Sequence, residues 1–62
     1  MNNLEAIKRI QEKLRYTESK IAEGTSEERV NRYRRLDCDA FALAIAALEY
    51  TEAMTQYEIS KL

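Results

Sequence analysis

The sequence predicts an all-α protein, a two-helix antiparallel hairpin that assembles into a homodimeric four-helix bundle or a larger even-numbered oligomer. There is no proline, a single glycine at position 24, and 34% of the residues are charged, a composition typical of helices. Apolar residues recur at helical spacing on both sides of that glycine. A single domain of 62 residues buries only about 60% of the surface that its unfolded chain exposes, so its own core is marginal.

Small domains gain stability from disulfides, a metal or self-association. One cysteine and no histidine exclude an intramolecular disulfide and argue against a zinc site, so we expect no metal, no cofactor and a homo-oligomer. Residues 1–35 carry a net charge of +3 and residues 36–62 a net charge of −4, which favours antiparallel pairing of two copies. The longest uncharged apolar run, 40–48, is too short to span a bilayer, and an unpaired cysteine is typical of the cytoplasm, where we place the protein.

Helix 1 is predicted over residues 3–23. Asn2 and Glu5 have the spacing of a capping box, and Gly24 suits the left-handed position that follows a helix. Its apolar residues form one stripe: Leu4, Ile7, Ile10, Leu14, Thr17 and Ile21. Tyr16 is on the opposite face and should be exposed.

Helix 2 is predicted over residues 26–60, with Thr25 and Glu28 as its capping box. It carries two apolar stripes, about a third of a turn apart. The first contains Leu36, Ala40, Leu43, Ala47, Tyr50, Met54 and Tyr57, and the second contains Val30, Phe41, Ile45, Leu48 and Ile59. Two stripes require two neighbours, and helix 1 is too short to cover helix 2 beyond about Leu48. We therefore expect Phe41, Ile45, Leu48 and Ile59 at the oligomer interface.

One alternative remains open within helix 2. Aspartate favours helix N-caps, so the helix could break near Asp37–Asp39, although a continuous or merely kinked helix is preferred because no glycine or proline enforces a break. Cys38 is expected to be half-buried, with an intermolecular crosslink as the alternative.

The residue types argue against an enzyme. Without histidine, the commonest general base and the usual partner of a serine or cysteine nucleophile are missing. Glu49 and Glu52 have the spacing of half a carboxylate metal site, but the Glu-x-x-His element of di-iron bundles is absent, so we expect two solvated acids.

Two surfaces of helix 2 are candidates for binding. Tyr50, Met54 and Tyr57 form an aromatic and thioether patch suited to a host protein; alternatively they are outer layers of the dimer core. A basic segment suited to a nucleotide or RNA contains Arg29, Arg32, Tyr33 and Arg35, with Tyr33 as a stacking surface. The alternative there is ion pairing within the helix, Glu28 with Arg32 and Arg35 with Asp39.

Residues 36–49, ending in Ala44-Ile45-Ala46-Ala47-Leu48-Glu49, resemble the Ala-Ile-x-Ala-Leu-Glu helix ending of short helical accessory proteins encoded by phages and prophages. The resemblance implies a non-enzymatic protein that acts in the host cytoplasm, a class that includes inhibitors of bacterial defence systems. The size and layout are also similar to those of the plasmid copy-number regulator Rop, which implies, as the alternative, an RNA- or nucleotide-binding bundle. No membrane partner is expected.

Overall fold

The computed structural model describes residues 1–61 and contains two helices, α1 (Asn3–Glu23) and α2 (Glu28–Lys61). The helices are antiparallel and are joined by the short connection 24–27, and the described residues contain no strand. The molecule measures 53 × 16 × 15 Å, so its long dimension is about the length of α2. The predicted all-helical hairpin is confirmed.

The ends of α1 are fixed by the predicted capping groups. The Asn2 side chain accepts the Glu5 backbone N–H at 2.8 Å and donates to the Glu5 carboxylate at 3.2 Å. Gly24 adopts the left-handed conformation with φ 68°, and its N–H donates to the Ile21 carbonyl at 3.1 Å. Both predicted bounds of helix 1 are confirmed because local chemistry sets them.

The start of α2 differs from the prediction. The helix begins at Glu28 rather than at residue 26, and no hydrogen bond joins Thr25 to Glu28 within residues 1–61, so the predicted second capping box is wrong. Ser26 fixes the connection instead. Its hydroxyl accepts from the Arg34 guanidinium at 2.6 Å, and its carbonyl accepts more weakly from the Asn31 side chain at 3.5 Å. From Glu28 onward α2 is continuous, without a break near Asp37–Asp39.

The core between the helices is small. Among the described residues the buried apolar side chains are Ile7 and Ile45, which are 9% and 8% exposed. The rest of the α1 stripe from Ile10 to Ile21 is half-buried, whereas Leu4 at its end is exposed. The half-buried residues of α2 lie on the same side of the helix as Ile45. They are Asn31, Arg34, Cys38, Phe41, Ala44, Leu48 and Glu52.

The register of the hairpin decides how much of α2 is covered. Ile21, near the end of α1, lies beside Arg35, so α2 starts beyond the end of α1. At the other end, Leu4 of α1 lies beside Glu52, and both Leu48 and Glu52 are half-buried. The expectation that α2 lacks a partner from Leu48 onward is therefore wrong. The uncovered end begins after Gln56, which lines the same depression as Leu4.

The second stripe of α2 faces α1. We expected Phe41, Ile45 and Leu48 between copies, but in the single chain Ile45 is already buried and the other two are half-buried. The only other helix available to cover them among the described residues is α1. Ile59, the fourth residue of that expected interface, lies beyond the reach of α1 and is exposed.

Candidate interaction surface

The first stripe of α2 points away from α1. We call it the outer face; it contains Leu36, Ala40, Leu43, Ala47, Tyr50, Met54 and Tyr57, all of them exposed. Successive residues of a helix are rotated by about 100°, which places the centre of the outer face nearly half a turn from the half-buried residues that meet α1. We expected the two stripes to be only a third of a turn apart. Leu43 is 72% exposed, Tyr50 69%, Leu36 58%, Tyr57 54% and Met54 40%. The hairpin therefore leaves the larger apolar side of α2 uncovered.

The predicted target patch of Tyr50, Met54 and Tyr57 occupies the C-terminal half of the outer face. Tyr57 lies beyond the part of α2 that α1 reaches. The Lys61 ammonium lies 4.6 Å from the centre of the Tyr57 ring, within range of a cation–π contact. The hydroxyls of Thr51 and Thr55 beside the patch donate to carbonyls one turn earlier, at 3.0 Å each. The patch is therefore apolar and aromatic, and the two threonine hydroxyls beside it donate within the helix.

Small side chains flank the outer face. Ala46 and Ala53 are exposed on one side, and Ala44 is half-buried on the other. The distance between packed helices falls with the size of the side chains at the contact, toward about 8 Å. A partner helix can therefore approach α2 closely along this surface.

The basic segment is exposed, and it forms no ion pair with the other residues that the structure describes. Arg29, Arg32, Tyr33 and Arg35 are all exposed, and the ion pairs expected of Arg32 and Arg35 are absent. Within residues 1–61 the single salt bridge is Lys20 to Glu23, at 3.4 Å. The positive end of the α2 dipole lies in the same turn as Arg29, which adds to the positive potential there.

Arg34, between Tyr33 and Arg35 in the sequence, differs from the arginines of the basic segment. It is half-buried, and its guanidinium donates to Ser26 and, at 3.4 Å, to Asn31. Its role is to attach the connection to α2, so it is not part of the exposed basic surface.

Cys38 is half-buried, as expected, in an open depression between the helices that is also lined by Glu18, Ile21 and Arg35. Burial raises the pKa of its thiol above the ordinary value, and the negative charges of Glu18, Asp39 and Asp37 raise the pKa further. The thiolate is the form that attacks electrophiles and binds metals, so these surroundings disfavour both reactions.

The acids also do not assemble a metal site. Glu49 is exposed and Glu52 is half-buried beside Leu4 and Ile7, so only one of this pair is as solvated as expected. In the described part of the chain, no three histidine, cysteine, aspartate or glutamate side chains converge so that they could hold a metal ion.

Comparisons with protein-family models, with curated proteins and with solved structures find no match to this chain. Over residues 1–61, neither helix combines the length and the apolar character that crossing a membrane requires. The candidate functional sites are therefore the two exposed surfaces of α2, the outer face and the basic segment.

Proposed function

We propose that the protein is a non-enzymatic accessory protein that works as a homo-oligomer by binding a larger host protein, as an inhibitor or adaptor. The observation that carries this proposal is the exposure of Tyr50, Met54 and Tyr57 on one apolar face. Tyrosine and methionine are enriched at protein interfaces. Contiguous exposed apolar patches mark interaction sites when they exceed a few hundred Å². The resemblance of residues 36–49 to phage accessory proteins supports a bacterial host and a role against a defence system.

The small core supports the homo-oligomeric part of the proposal. Two buried side chains, Ile7 and Ile45, are few for a folded domain, whereas covering a large apolar side chain contributes about 1.5–3 kcal/mol. A homodimer of two hairpins, four helices in all, is the simplest assembly that supplies such cover, and larger even-numbered oligomers supply it as well.

Within the patch, Tyr57 is the preferred anchor for the target. It lies near the end of α2, where the layers of a helical assembly fray and a ring is only partly covered by the second copy. Tyr50 and Met54 lie closer to the centre of the outer face, so they are shared between the assembly and the target.

The alternative function is binding of a nucleotide or RNA, as in a Rop-like dimer or a nucleotide-sequestering oligomer. The observation that favours it is that Arg29, Arg32 and Arg35 are exposed without a carboxylate partner in the described residues. Guanidinium groups bind phosphate through paired hydrogen bonds, and Tyr33 offers an exposed ring for base stacking.

Capture from host lysate, with and without nuclease, separates the two functions when it is carried out with matched variants. Tyr57→Ala should weaken binding of the captured protein by about 1–2 kcal/mol, as for an aromatic anchor, and leave helicity and oligomer size nearly unchanged. Tyr16→Ala is the control, because Tyr16 is 61% exposed on the outward side of α1. The double variant Arg32→Ala/Arg35→Ala should bind the target normally.

The opposite pattern would favour the alternative. If the double arginine variant loses the captured partner, nuclease removes it from the wild type, and Tyr57→Ala retains it, then the basic segment binds an anionic ligand and the host-protein proposal is wrong.

A further inference from the structure

We propose that a second copy of the chain covers the outer face of α2, with the two α2 helices antiparallel and the two α1 helices outermost. The inference rests on the homo-oligomeric part of the proposed function and names its surface; it does not depend on the identity of the target. The assembly is a layer of four helices in the order α1, α2, α2 of the second copy, and α1 of the second copy.

The placement of the two faces of α2 leads to this order. In a square four-helix bundle each helix has its two neighbours about a quarter of a turn apart. In α2, the side that meets α1 and the outer face are nearly half a turn apart. A neighbour on the outer face therefore lies on the far side of α2 from α1, which produces a layer and not a square.

The spacing of the outer face fits an antiparallel copy of itself. From Leu36 to Tyr57 its residues recur at alternating intervals of four and three, the spacing of a coiled-coil seam. When two such helices run antiparallel about an axis level with Ile45, large residues meet small or flexible ones. The facing pairs, each formed twice, are Leu36 with Met54, Ala40 with Tyr50, and Leu43 with Ala47.

The flanks of this pairing are compatible with close approach. The residues next to the symmetry axis are Ala44 on one side and Ala46 on the other, so no charged or bulky side chain separates the two helices at the centre. Along the flank that contains Ala46, Asp39 of one copy lies nearest Ala53 of the other. Along the flank that contains Ala44, Asp37 lies nearest Thr51, so no like charges face each other at these positions.

Avoidance of like charges favours the antiparallel orientation. Residues 28–35 contain four arginines and one glutamate, and in this register the arginines lie level with residues 55–61 of the other copy, which carry one glutamate and one lysine and therefore no net charge. A parallel pair would instead place the two basic segments side by side.

Disulfide crosslinking tests the orientation and register. In a Cys38→Ser background, chains carrying Asp39→Cys are mixed with chains carrying Ala53→Cys, and both positions are exposed. The proposal predicts that the mixed disulfide dominates over either symmetric disulfide. Glu12→Cys mixed with Ala53→Cys is the control, because Glu12 is exposed on the outward side of α1 and should not crosslink. Symmetric disulfides in excess, or no crosslinking above the control, would overturn the proposal.

Sedimentation equilibrium tests the surface itself. Leu43 is 72% exposed in the single chain, so Leu43→Glu leaves the hairpin contacts intact and places a charge inside the proposed pairing. The wild type should sediment as a dimer at micromolar concentration, and Leu43→Glu should raise the dimer dissociation constant at least a hundredfold. Tyr16→Glu, the control, should sediment like the wild type.

The outcomes separate this inference from the proposed target. A monomeric wild type, or a dimer that Leu43→Glu leaves unchanged, overturns the antiparallel α2 pairing, even if the protein still captures a host target through Tyr57. A dimer that depends on Leu43 but captures no target supports the pairing and argues against the host-protein function.

Discussion

Both sides of α2 carry large apolar side chains, unlike an ordinary surface helix. The side that meets α1 contains Phe41, Ile45 and Leu48, and three of its half-buried residues are polar or charged. The outer face, which has no neighbour in the single chain, carries five large apolar side chains. A helix of a self-sufficient domain keeps its apolar residues toward the core. We infer that α2 packs against a neighbour on each side.

The α1 helix has the usual arrangement. Its apolar stripe meets α2, and its opposite face, which contains Lys8, Glu12, Arg15, Tyr16 and Ser19, is exposed. One neighbour satisfies α1, whereas α2 requires two. Substitutions made on one side of α2 at a time test this difference.

The largest effect is expected on the side that meets α1. Ile45→Glu should unfold the chain, because it places a charge at one of the two buried positions and costs several kcal/mol. Ile59→Glu, on the same helix but 57% exposed, is the matched control and should melt close to the wild type. Circular dichroism on heating measures both. A wild-type melting curve for Ile45→Glu would mean that this position is not part of the core.

On the outer face, Tyr50→Ala should weaken dimerisation by about 1.5–3 kcal/mol, because the ring loses the cover that the facing helix supplies. Tyr16→Ala removes a ring of similar exposure, 61% against 69%, from the outward side of α1 and should leave the dimer unchanged. Sedimentation equilibrium of the two variants measures the difference. Equal dissociation constants would contradict the assignment of the outer face.

Substitutions in the connection between the two helices should have a smaller effect on stability. Gly24→Ala should destabilise the protein by about 1 kcal/mol, because φ is +68° and an L-residue is strained in that conformation. No atom lies within 4 Å of the added Cβ, so no clash contributes. Gly24→Asn should cost less, because asparagine tolerates the left-handed region. Urea unfolding at one fixed protein concentration measures both, and equal losses would point to a cause other than backbone strain.

The smallest effect concerns Cys38, on the side of α2 that meets α1. Because burial and the nearby acids raise the pKa of its thiol, labelling by a thiol reagent should reach half its maximal rate at a higher pH than in the unfolded chain. Glu18→Gln removes one of those charges, so it should lower the pKa and speed labelling at a fixed mildly alkaline pH. Glu12→Gln, on the exposed side of α1, should not. Unchanged labelling in Glu18→Gln would show that Glu18 does not act on the thiol.

The same raised pKa fixes the sign of a pH dependence. The folded chain holds the thiol proton more strongly than the unfolded chain does. Stability should therefore be fully retained below the ordinary thiol pKa and should decrease as the pH rises above it.

Local chemistry made α1 fully predictable. Asn2, Glu5 and Gly24 act within one turn of the helix ends, and one apolar stripe leaves no choice of face. The start of α2 was less predictable, because Thr25 and Ser26 are both capping residues. The structure uses Ser26, through a contact with Arg34 that lies eight residues away and that helix-end patterns do not encode.

The assignment of the two α2 stripes could not be predicted from periodicity. The pattern shows that two apolar sides exist but not which of them α1 covers, and that choice depends on how the connection places Ile21 beside Arg35. The sequence left two interpretations of the Tyr50, Met54 and Tyr57 patch, a target-binding surface or the outer layers of a dimer core, and in the single chain these residues are exposed. The predicted arginine pairs do not form, because exposed ion pairs contribute about 0–1 kcal/mol and a suitable spacing does not enforce them.

The most direct test of the central claim, that folding depends on a second copy covering the outer face, is the concentration dependence of the thermal midpoint. We expect the midpoint followed by circular dichroism to rise steadily over about a hundredfold increase in protein concentration, because the dimer is the stable folded form. Leu43→Glu should melt at a lower temperature and depend less on concentration. A fully helical wild type whose midpoint is the same at every concentration would contradict the claim.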